Sequence, residues 1–217
     1  MTTLAAIAER AAAERLAVFG AFHPADGDEL EGAETLILFG PAEPGFWGHL
    51  TSQPEWRDGA PDPIDRWSAR VLGNFAQRLG GRAIFPSDGP PYPPFFRWAL
   101  RTGRAWPSPV QLLVHDTAGL MVSYRGAIAL PQRLALPDAP TASPCADCTA
   151  QPCRTACPAA ALTPQHYDLP VCHAFLDTRE GQDCLSRGCG VRRACPVSRA
   201  YGRLAEQSAY HMRRFHP

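Results

Sequence analysis

The chain has 217 residues, and its 21 basic and 21 acidic side chains cancel, so no global field draws it to nucleic acid or to a membrane surface. All the basic residues are arginine. Without a lysine, a P-loop, a Schiff-base enzyme and a lysine general base are excluded. No apolar run is long enough to span a bilayer, and Glu9, Arg10, Glu14 and Arg15 interrupt the alanine-rich N-terminus where a secretory leader needs an apolar stretch, so a cytoplasmic protein is expected.

Leu4, Ile7, Ala8, Ala11, Ala12 and Leu16 recur near helical spacing, which predicts an amphipathic helix over residues 3–15. Strands are predicted over 18–22 and 35–40, the second a continuous apolar run suited to burial on both faces. Residues 41–62 are broken repeatedly by proline and glycine and read as a loop carrying Phe46, Trp47 and Trp56. From Pro63 the series Ile64, Trp67, Val71, Leu72, Phe75 and Leu79 predicts a core helix that Gly80 and Gly81 stop. A short strand at 82–85, an extended proline-rich stretch over 86–94 and a helix over 95–101 follow. Strands over 110–114, 120–124 and 127–130 then predict an antiparallel meander. Residues 131–144, rich in proline and alanine, read as a semi-rigid linker, and 196–215 as one final helix. Two domains are expected, 1–140 and 141–217, the second too thin in Leu, Ile and Val to be stable without a staple.

The staple is visible in the cysteines. All eight lie in Cys145-x2-Cys148-x4-Cys153-x3-Cys157-Pro158, the isolated Cys172, and Cys184-x4-Cys189-x5-Cys195-Pro196. In a reducing compartment such clustering points to metal rather than to disulfides. Four thiolates hold one cubane 4Fe-4S cluster, and a Cys-Pro step ends the bacterial ferredoxin motif, whose last cysteine goes to the other cluster. On that crossing pattern Cys145, Cys148, Cys153 and Cys195 hold one cluster, and Cys157, Cys172, Cys184 and Cys189 the other. Two loops are longer than the commonest form. Lengthening a loop costs only about tenths of a kcal/mol, so a cubane stays within reach, and other pairings stay open too. A pair of four-cysteine zinc sites is the alternative, with His166 and His173 as substitute ligands in either scheme. From Arg179 onward eight arginines face only Glu180, Asp183 and Glu206, either as a solvated face or as partial compensation of anionic clusters.

The tail resembles that of epoxyqueuosine reductase and related corrinoid-dependent iron-sulfur reductases at Cys145–Pro158, Val171–Leu176 and Gly188–Pro196. Ser108–His115 and Gly119–Pro131 are similar to the central stretch of the CblC-type cobalamin-processing proteins. Together these resemblances imply an α+β chain: a nitroreductase-like (CblC-type) sheet-and-helix domain that binds cobalamin, followed by a small ferredoxin-like two-cluster domain. A corrin needs apolar planes with polar groups at its rim. Trp98, His115, Tyr124, Arg125 and Gly126 are the cofactor-binding residues expected on this basis, with Pro91–Phe96 and Trp106 as further planes. Asp88 loosely resembles a proton-donating aspartate of the reductases, beside its plainer reading as a turn residue. The implied function is an oxidoreductase passing single electrons from an external donor through two 4Fe-4S clusters to a bound corrinoid, with Arg192 and Arg193 tuning the clusters. Two alternatives stand beside it: a ferredoxin-like electron carrier without corrinoid, and a zinc-stapled binding module.

Overall fold

A computed structural model describes residues 2–217. The chain opens with α1 (Leu4–Ala13), β1 (Leu16–Phe22), β2 (Thr35–Pro41), α2 (Phe46–Thr51), α3 (Pro54–Arg57), α4 (Pro63–Leu79), β3 (Arg82–Ile84) and α5 (Phe95–Arg101). It continues with β4 (Ala105–Pro107), β5 (Leu113–His115), β6 (Gly126–Leu130), a 3-10 turn at Pro152–Arg154, α6 (Leu169–Leu176), α7 (Gln182–Arg187), α8 (Gly190–Ala194), α9 (Pro196–Ala200) and α10 (Ala205–Phe215). The fold is α+β, and among the described residues no helix is long and apolar enough to cross a membrane.

Two compact units emerge. The first runs to Arg104 and adds Ser123–Ala139; the second joins Ala105–Val122 to Pro140–Pro217. A division at 140 alone places 105–122 in the front domain, and the contacts reassign that segment to the cysteine unit.

The first unit is built on an antiparallel sheet in the order β1-β2-β6-β3. Its central strands follow from composition: every residue of β2 and β6 is buried, and Leu36 to Phe39 have no exposure at all. Helix α4 packs on β6 and β3, with Phe75 against Phe39 at 6.0 Å and Trp67 against Phe46 at 5.5 Å between ring centroids. Pro63 opens α4 in the first turn, where its missing N–H costs nothing, and Gly80 closes it in the left-handed region at φ 67°. Trp67 is fully buried. Trp67→Ala is therefore expected to lower the stability of this unit by about 3–5 kcal/mol, read as a shifted urea midpoint with an unchanged slope.

Three expectations about elements change. Residues 41–62 hold α2 and α3, because Pro54 occupies a first helical turn rather than breaking a helix and Phe46 and Leu50 bury one face. Residues 120–124 form no strand: the Leu120 amide donates to Ser198 Oγ at 2.8 Å and the Met121 amide closes a turn on Ala118. The expected last helix is two, separated by Gly202 at φ 78°.

One core cluster of the second unit is Val110, Val114, Leu120, Cys153, Leu162, Val191 and Cys195, so two of its seven buried members are cysteines. Segment 105–122 is fastened to the rest by side chains bonding to backbone. Gln111 Nε2 donates to Pro164 O at 2.9 Å, Arg203 to Met121 O at 3.2 Å, and Arg192 to Leu120 O. At Gly119, φ 56°, a Cβ would lie 2.4 Å from the Ser198 amide nitrogen, so only glycine allows this approach.

Candidate metal centre

The eight cysteines line two cavities in the second unit. One is walled by Cys145, Cys148, Cys153 and Cys195 together with Val114, Leu120 and Val197, and contains about 420 Å³ of empty space, part of it open to solvent. The other is walled by Cys157, Cys172, Cys184 and Cys189 with Leu162, Tyr167, Phe175 and Val191, and contains about 390 Å³. The local fold explains this sorting. The 3-10 turn at Pro152–Arg154 presents Cys153 to the first cavity, and the chain then carries Cys157 to the second. Helix α8 is bracketed by Cys189 at its N-cap and Cys195 at its C-cap, so its two ends serve different cavities. Each cavity thus draws cysteines from both ends of the cysteine region.

No family model, curated protein or solved structure matches the chain.

The electrostatics keep the same two groups. Burial first, then the neighbouring Cys145, Cys195 and Cys148, push the Cys153 thiol up. Burial and then Cys189 push up Cys172, whose sulfur accepts a hydrogen bond from the Tyr167 hydroxyl. Burial raises Cys145 and Cys184 as well, opposed at Cys184 by the Gly190 amide and the Arg193 charge. Thiolates gathered in such a place require positive charge among them. Among the described residues no three His, Cys, Asp or Glu side chains converge to hold a single metal ion; the thiols stand around the cavity walls instead.

Tyr167 and the Gly190 amide are the polar groups that sequence reasoning missed. The amide carries no sequence signal, and Tyr167 stands five residues before Cys172 outside any motif. The arginines behave differently from each other. Arg192 is spent on Leu120 O, whereas Arg193 donates to Gly188 O at 2.9 Å, pairs with Asp183 and lowers Cys184. His173 turns towards His216, their Nδ1 atoms 2.6 Å apart, and His166 bonds Thr163; neither lines a cavity.

Five of the residues expected around a corrin make contacts within their own unit, whereas Tyr92 and Phe96 are exposed. Trp98 is 2 % exposed and donates through Nε1 to Asp28 O at 3.3 Å. Tyr124 is buried with Phe19 and Phe95 at 6.1 Å. At Gly126 a Cβ would stand 2.7 Å from Leu72 Cδ1, so this glycine makes room for α4. Arg125 lies 3.7 Å from Asp65. His115 is wholly buried in the second unit, its Nδ1 accepting from the Thr117 and Ala118 amides. His115 belongs to the second unit and the other four residues to the first. Asp88 is an exposed turn residue whose Oδ2 accepts from the Phe85 amide at 2.8 Å, the plainer of its two readings.

Proposed function

We propose that this chain is an iron–sulfur redox protein holding two 4Fe-4S clusters, one on Cys145, Cys148, Cys153 and Cys195 and one on Cys157, Cys172, Cys184 and Cys189. The observation that carries this reading is the partition of eight thiols into two cavities of four, with Cys157 and Cys195 exchanged between the ends of the motif. The donor set supports it: soft sulfur ligands, apolar walls and hydrogen bonds to sulfur are what such clusters take. Bound there, the clusters would supply one-electron transfer. The protein's own groups set the conditions. Val114, Leu120 and Val197 give the first site apolar walls, while the Tyr167 hydroxyl, the Gly190 amide and Arg193 stabilise negative charge on sulfur at the second. The crossing of ligands also supports a ferredoxin-like assignment for this unit. The nitroreductase-like assignment of the other rests on the CblC resemblance.

Anaerobically purified protein is expected to be brown, with a broad visible absorbance that dithionite bleaches. A colourless protein containing zinc would establish the zinc-stapled alternative instead.

A second reading sends the electrons on to a corrinoid in the first unit. One observation supports it, a groove with about 1160 Å³ of empty space, partly open solvent, lined by Ala5, Ala8 and Ala12 of α1, Leu16 to Val18 of β1, and Arg104. Titration with cob(II)alamin tests it: a base-off spectral shift that Ala8→Trp abolishes would support it, and no shift at saturation would end it.

A further inference from the structure

The two cysteine cavities differ in where their walls come from. Every residue that lines the second lies between Cys157 and Met212. The first takes Ser108, Pro109, Val114 and Leu120 from segment 105–122, which stands outside the cysteine region of the sequence and whose chain neighbours, Arg104 and Ser123, belong to the first unit. One site is closed by its own stretch of chain, and the other by a piece brought in from elsewhere.

That piece has the character of a strap. Among the described residues β4 and β5 pair with each other and with no further strand, and the turn after them closes on itself where His115 and Gly119 exchange backbone hydrogen bonds of 3.1 and 2.9 Å. Its Val110, Val114 and Leu120 are buried in one cluster with Cys153 and Cys195, two of the four cysteines of the first set. Leu120 is clamped at both of its backbone groups: the amide donates to Ser198 Oγ at 2.8 Å and the carbonyl accepts from Arg192. Gln111, held at φ 61°, reaches Pro164 O at 2.9 Å. These fasteners join the strap to α9, α8 and the loop before α6.

We propose that segment 105–122 sets how firmly the first site keeps its metal centre, while the second site keeps its own without it. The proposal rests on the cluster reading only for what the centre is made of. A segment fastened in this way opens locally at a lower free energy than the whole unit unfolds. Opening uncovers Cys153 and Cys195 and leaves the second set of cysteines covered. The strap therefore gates exchange at one site of the two.

The test follows the release of iron from the anaerobically purified full chain into an excess of a colorimetric ferrous chelator, with dithionite present to keep the released iron ferrous. Cys195→Ser, which lacks the first cluster, identifies the half of the iron that belongs to each site. Gly119→Ala places a Cβ 2.4 Å from the Ser198 amide nitrogen at a left-handed φ of 56°, and it should free the iron of the first site about tenfold faster or more. Gln111 is exposed, so Gln111→Asn spares the core; it tolerates the left-handed backbone, loses the reach to Pro164 O, and should speed the same half about threefold. In both variants the iron of the second site should leave within about twofold of the parent rate, and in the Cys195→Ser background neither substitution should change the release. A change that weakened the whole unit would speed both halves alike. Equal acceleration of the two halves, or acceleration of neither, in a chain that holds iron would overturn the strap alone. In a chain that holds about two zinc and no sulfide, the same measurement with a zinc chelator decides: selective loss of one zinc in these variants would support the strap and overturn the cluster reading alone. A chain that holds neither metal would overturn both.

Discussion

Cys195→Ser is expected to lose about half of the protein's iron and sulfide and to retain the other half in a spectroscopically normal cluster. The reason is topological. Cys195 lines the first cavity with Cys145, Cys148 and Cys153, although α8 ties it to Cys189, which lines the second. A pairing by sequence proximity would group Cys195 with Cys184 and Cys189 instead. The two schemes separate when Cys195→Ser is combined with a second substitution. With Cys153→Ser, a member of its own set, no further iron should be lost; with Cys184→Ser, nearly all of it should go. If the combination with Cys184→Ser left half of the iron in place, the crossed partition would be wrong.

Removing the metal from the whole chain, by oxidation with a chelator present, is expected to unfold the second unit and spare the first. The second unit buries a cluster of seven residues, two of them cysteines, and its helices α7, α8 and α9 are six, five and five residues long. Helices of that length do not persist without packing partners. In small metal-stapled domains the binding free energy is folding free energy, on the order of 10 kcal/mol for structural zinc. The first unit has its own core in β2, β6 and α4. Tryptophan fluorescence separates the two responses, because Trp47, Trp56, Trp67 and Trp98 belong to the first unit and Trp106 alone to the second. Emission should change little while hydrogen exchange becomes fast across 140–217. Protection retained across that segment in the metal-free protein would contradict the expectation.

What the sequence revealed follows the physics of each segment. Helix α4 was legible to its ends because periodic apolar residues, a proline in the first turn and a left-handed glycine all agreed. Strand β2 was legible because seven consecutive buried residues leave no polar face to confuse the period. Segment 105–122 was not, since its attachment depends on Gln111, Arg192, Arg203 and Ser198 meeting backbone groups far away in sequence. Spacing alone left several cysteine pairings open, and the cavities separate the eight residues into two sets. Trp98, Tyr124 and Gly126, expected around a corrin, are buried in the first unit, a burial that depends on contacts far away in sequence.

The most direct test of two clusters on two sets of four cysteines is elemental analysis of the anaerobically purified full chain, with acid-labile sulfide measured on the same sample. About eight iron and about eight sulfide per chain are expected. About two zinc per chain with no sulfide would contradict it.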